Sequence, residues 1–107
     1  MRMNKNRRWE SYTNLISQED KIEVKMQRED GKIIKFSVTY LKKIKEKWRE
    51  IRRCDNSHPG IVAHCHIFKY NRKDIKTPLK GDTPYLLTKS INEFKKHYNK
   101  YLEYYFK

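Results

Sequence analysis

The chain is poor in the residues that punctuate structure, with 3 Gly and 3 Pro among 107 residues. That leaves no Pro- or Gly-rich linker. With no internal repeat or low-complexity tract either, residues 1–107 read as a single basic domain. No Gly-rich loop of the phosphate-cradling kind is present, and no pair of carboxylates is spaced for two-metal chemistry. Apolar runs are short, none approaching the roughly 18 residues a membrane-spanning helix needs. The basic N-terminus, Met1 to Arg8, is followed by no apolar stretch, so no secretory signal is read there. The 2 cysteines, Cys54 and Cys65, do not make a disulfide framework. They are expected to be buried, reduced thiols in a cytoplasmic protein.

Apolar residues are also scarce, at 36%, so the core must be thin: one sheet face covered by a helix. The 8 Tyr suit that arrangement, because a Tyr ring buries its body and leaves its hydroxyl wet. What the chain has in excess is positive charge. Its 26 Lys and Arg against 13 Asp and Glu give a formal +13, which repels itself unless a polyanion or acidic partner offsets it. RNA, DNA, an acidic membrane or an acidic protein would serve, and nucleic acid, RNA first, is the expected partner rather than a membrane. The plainer reading is a Lys-rich surface that keeps the protein soluble or suits a heat-loving source.

Hydrophobic spacing predicts an α+β fold: a curved antiparallel sheet of about four strands with a C-terminal helix packed on one face. Trp9, Tyr12, Leu15 and Ile16 in the segment Lys5 to Gln18 suggest a helical turn or two. From Ile22 the period becomes two, with Ile22, Val24 and Met26 alternating against Glu23, Lys25 and Gln27. Asp30-Gly31 is a hairpin turn signal. After it Ile34, Phe36, Val38 and Tyr40 alternate in turn. Leu41, Ile44, Trp48 and Ile51 also fit a helix, but a turn near Lys42 to Glu46 and a third strand is preferred, because a lone hairpin is marginal. Asp55 to Gly60 reads as a loop, Val62 to Tyr70 as a fourth strand, and Lys73 to Pro84 as a polar loop. Ser90 and Glu93 form a capping box that would start the helix. Its stripe of Ile91, Phe94, Tyr98, Tyr101, Leu102 and Tyr105 would lie on the sheet.

Three of the 4 His cluster at His58, His64 and His66. Histidine gives and takes protons near neutrality. On a strand, His64 and His66 project from one face with their roots about 7 Å apart. A loop returning past Asp55 would bring Asp55, His58 and His64 together, with Arg53 behind. That set suits metal-independent RNA cleavage. One neutral His would take the proton of a ribose 2′-hydroxyl and one protonated His would serve the departing 5′-oxygen. Arg53 or Lys69 would stabilise phosphate charge, and Asp55 would orient an imidazole. No cofactor is called for. His64, His66 and His58, with Asp55 or a Cys, would equally make a metal site for a metal-dependent hydrolase. A third reading is a non-catalytic RNA- or DNA-binding module with an incidental His cluster. Candidate phosphate contacts are Arg49, Arg52, Lys69, Arg72, Lys73 and Lys76.

The run Trp48-Arg49-Glu50-Ile51-Arg52-Arg53-Cys54-Asp55-Asn56-Ser57-His58, followed by His64-Cys65-His66, resembles the signature of small prokaryotic proteins related to TumE-like toxins. Those carry a strand ending in an Arg-x-Asp-Asn or Arg-x-Asp-x-x-His element, then a His-x-His strand and a C-terminal helix. The order matches from Ile22 to Phe106. The resemblance implies an RNA-acting toxin of a toxin–antitoxin pair, with a helix-turn-helix antitoxin as partner. It makes Arg53, Asp55, His58, His64 and His66 the active-site positions. The oligomeric state is left open, a homodimer included.

Overall fold

Alternation at period two builds most of the molecule. The computed structural model describes residues 7–56 and 62–107. Strands β1 (Arg7–Leu15), β2 (Asp20–Glu29), β3 (Lys32–Ile44), β4 (Lys47–Asp55), β5 (His64–Lys69) and β6 (Arg72–Pro78) precede one helix, α1 (Thr83–Phe106). The strands form an open antiparallel meander in chain order, with β1 and β6 at its edges. The fold is α+β, as expected, but the sheet has six strands among the described residues rather than about four.

The extra strands are those at the edges. Residues 7–15 pair with β2 along their whole length, because an unpaired β2 edge offers more backbone partners than an isolated helical turn can make. The expected loop from Lys73 likewise pairs with β5 as β6. Helix α1 starts at Thr83, not near Ser90. Asp82 caps it by accepting from the Tyr85 backbone N–H at 3.0 Å, with Pro84 in the first turn, a stronger start signal than the Ser90 box. Ser90 is instead buried inside the helix. The Asp30–Gly31 hairpin forms with positive φ at both residues. The β3–β4 turn falls at Lys45–Glu46, also with positive φ, inside the expected interval.

One face of the sheet is the core. Ile22, Val24, Phe36, Val38, Tyr40, Ile51 and Cys54 meet Leu86, Leu87, Phe94 and Tyr105 of α1. A register shift in the β3–β4 pairing between Tyr40 and Leu41 lets both Ile51 and Arg52 face the helix. Ile51 is buried in the core and the Arg52 guanidinium stacks 4.0 Å over Tyr101. Two cross-strand rows lie on the face turned away from α1. One runs Ser11, Lys25, Ser37, Asp55, His64, Pro78, and the next Thr13, Glu23, Thr39, Arg53, His66, Lys76. Residues in a row are neighbours because side chains opposite one another in an antiparallel ladder project from the same face. Apart from Pro78, the residues of both rows are polar.

Asp20 anchors the end of the sheet. Its buried carboxylate accepts from Tyr40 Oη at 2.5 Å, Ser17 Oγ at 2.7 Å and Lys42 Nζ at 3.3 Å. Burial pushes the carboxyl up, but these donors outweigh it and hold Asp20 below its ordinary value. Burial and the bond to Asp20 raise the Tyr40 phenol. A lowered folded-state value contributes stability that is full above the ordinary carboxyl range and is lost as pH falls through the lowered value. Tyr40→Phe is therefore expected to cost about 1.5–3 kcal/mol in urea unfolding at pH 7. The deficit should shrink in acid as Asp20 protonates in both proteins. An equal deficit at every pH would contradict the role given to this bond.

Candidate active site

Antiparallel pairing of β4 with β5 sets Asp55 opposite His64 and Arg53 opposite His66. Four of the five sequence candidates are thus collected at one point on the face turned away from α1. The fifth, His58, lies outside the described residues. Asp55, His64 and His66 are 2%, 7% and 5% exposed, so their interactions act in a low-dielectric setting, where each is stronger than in water.

The imidazoles do not stand apart as separate acid and base. Their roots follow the strand rise, but their tips converge, with Nε2 to Nε2 at 3.0 Å. The rings are inclined at 68°, and Phe68 stacks against His66 at 5.7 Å. Each ring is held from behind. His64 Nδ1 lies 2.9 Å from the Val62 carbonyl, and His66 Nδ1 lies 2.7 Å from Asp74 Oδ2. Asp55 is not the orienting carboxylate. It accepts from Arg53 Nε at 2.9 Å, and its two oxygens face the His64 and His66 Nε2 atoms at 3.8 and 3.9 Å. Asp55 Oδ1 is buried and makes no hydrogen bond among the described residues.

Those partners fix the tautomers. A carbonyl only accepts, so His64 Nδ1 carries hydrogen. The hydrogen bond from His66 holds the Asp74 carboxyl below its ordinary value, so Asp74 is ionised and His66 Nδ1 also donates. Two neutral rings would then aim lone pairs at each other. A 3.0 Å approach is attractive only with positive charge between the nitrogens, either one shared proton or a metal cation. Asp55, beside both, is the counter-charge.

Arg53 connects this point to a groove of about 380 Å³, lined also by Lys25, Ser37, Thr39, Trp48 and Glu50. Its Nη1 donates to Glu50 at 2.6 Å, which leaves Nη2 for a ligand. Lys21 and Lys43 sit 4.2 and 5.3 Å over the Trp48 ring. Of the expected phosphate contacts, Lys76 is beside His66 on this face. Arg72 and Lys73 are exposed at the start of β6. Lys69 stacks on Tyr104, 4.3 Å away. Arg49 is exposed opposite Lys42, while Arg52 is turned under the helix.

Asp74 falls in the segment expected as a loop, and only the β5–β6 register brings it to His66. Its signal was Tyr70-Asn71 as a tight turn, since Asn tolerates the positive φ found there. Cys54 and Cys65 are not free thiols. They lie opposite each other in the β4–β5 ladder and are joined as a disulfide on the helix side, directly behind the Arg53–Asp55 and His64–His66 pairs. Asn56 continues the β3–β4 edge, accepting from Phe36 N at 2.7 Å and donating to the Thr83 hydroxyl at 3.2 Å. It ties the end of the site strand to the start of α1.

Residues 2–107 match the family described as a domain of unknown function, DUF7718. The chain belongs to that family. No curated protein and no solved structure matches this DUF7718 chain, and among the described residues no helix is long and apolar enough to cross a membrane.

Proposed function

We propose that this protein is a toxin-type endoribonuclease whose proton-transfer centre is the His64–His66 pair. The observation that carries the reading is the 3.0 Å contact between their Nε2 atoms with both Nδ1 positions already engaged. A pair so arranged holds one transferable proton at a defined point. Nitrogens this close cannot straddle a phosphate as separate base and acid, so the pair acts as one group. It delivers its proton to the departing 5′-oxygen as the 2′-oxygen bonds to phosphorus and the P–O5′ bond breaks. The 2′-hydroxyl proton leaves to water. Arg53 Nη2 meets a phosphate oxygen, a charge-assisted contact that strengthens as charge develops. Lys25, Lys35 and Lys76, on the same face, attract the backbone through the long-range field. The resemblance to TumE-like toxins supports RNA as substrate and a helix-turn-helix antitoxin as partner.

Incubating the full chain with total RNA in excess EDTA tests this reading. Discrete fragments are expected, and RNA left intact under every condition would overturn it. Asp74→Asn removes the charge that holds His66 in its tautomer. It is expected to slow cleavage by about 10–100-fold with RNA affinity unchanged. A loss of affinity with the rate preserved would refute the positioning role.

A further inference from the structure

We infer that Asp55, His64 and His66 form a binding site for one first-row divalent metal ion of the zinc class, in which the ion takes the place of the shared proton. The donor atoms lie within 4.8 Å of one another. Two ligands held about 2.1 Å from a tetrahedral ion are about 3.4 Å apart, and the facing nitrogens are 3.0 Å apart. The carboxylate oxygens, at 3.8 and 3.9 Å from those nitrogens, reach the same spacing with a shift of about 0.5 Å. Both imidazoles already donate Nδ1–H to an outer partner, Val62 and Asp74. That is the arrangement which aims Nε2 lone pairs at a metal and raises their basicity. Asp55 Oδ1 supplies the independent sign: a buried carboxylate oxygen with no hydrogen bond among the described residues, aimed at the same point.

Charge favours an ion as well. Asp55, Asp74 and Glu50 surround the centre, with Arg53 as the guanidinium paired to two of them. Lys76, beside Asp74, offsets part of that negative charge, and with neutral rings the remainder favours a bound cation. Two imidazoles and one carboxylate suit zinc, cobalt, nickel or ferrous iron rather than magnesium or calcium. Three protein ligands leave a position open for water or a phosphate oxygen.

The metal site itself does not depend on RNA cleavage; its effect on cleavage rests on the function proposed above. An ion bound to both Nε2 atoms displaces the transferable proton, so the loaded protein should be inactive and EDTA should restore it. The binding test is titration of the full, metal-stripped chain with Co²⁺, read by its visible absorption and by calorimetry. One Co²⁺ per chain is expected at a micromolar or lower dissociation constant, displaced by Zn²⁺. His64→Ala or His66→Ala should weaken it at least 100-fold, and Asp74→Asn about 10–100-fold. Because these variants remove buried groups, the wild-type chain supplies a second readout. Bound Co²⁺ should broaden the imidazole resonances of His64 and His66 and spare His97, which sits with Glu93 on the helix. No binding at millimolar Co²⁺, or broadening at His97 instead, overturns the site. Cleavage that requires Zn²⁺ would leave the site standing and remove the proton-transfer mechanism.

Discussion

His66→Ala is expected to slow RNA cleavage by roughly 10²–10⁴-fold, the range a positioned proton donor contributes. The substitution removes one of the two facing nitrogens and the group that Asp74 holds. His64 alone keeps its bond to Val62 but loses the partner that keeps the proton at the reacting point. His66 is buried, so a folding defect could imitate a catalytic one. His66→Asn separates the two, because its amide nitrogen sits where Nδ1 does and can still donate to Asp74 while offering no transferable proton at neutral pH. Both variants should be slow, and His66→Asn should retain the wild-type melting profile and RNA affinity. A folded His66→Asn protein cleaving at the wild-type rate would eliminate the pair as the proton donor.

The second large effect concerns the scaffold. Phe94, 2% exposed, is the centre of the helix–sheet contact and meets Tyr101 edge-on at 5.5 Å. Phe94→Ala is expected to cost about 3–5 kcal/mol, the lost transfer energy plus the cavity left behind. The whole fold of such a domain is worth only about 5–15 kcal/mol. The melting temperature should therefore fall by at least about 12 °C, followed by circular dichroism. Among the described residues α1 alone covers this sheet face, so no second layer compensates. A cost under about 1 kcal/mol would mean that the helix is not held by this side chain.

The half-buried strands were legible because each buries alternate residues. Ile22, Val24 and Met26, then Phe36, Val38 and Tyr40, are all buried, as their alternation requires. The same periodicity put His64 and His66 on one face and Cys65 on the other. What failed were elements whose stability is not local. β6 has one apolar residue in its middle, Ile75, which is 47% exposed, so no alternation announces it. Strand β1 exposes Trp9, Tyr12 and Leu15, whose spacing imitates a helix while β2 pairing makes a strand. The Asp74–His66 bond and the Cys54–Cys65 disulfide both depend on register between strands, which no single segment encodes. Ser90 and Glu93 match a capping box, yet Leu86 and Leu87 extend the apolar stripe toward the N-terminus, so burial favoured the earlier start at Asp82.

Nitrogen-15 NMR of the imidazole rings in the metal-free, wild-type chain tests the central claim most directly. Hydrogen on Nδ1 of both His64 and His66 is expected, with a single further proton coupled to both Nε2 atoms. An unprotonated Nδ1 on either ring, with its own Nε2–H pointing elsewhere, would contradict it.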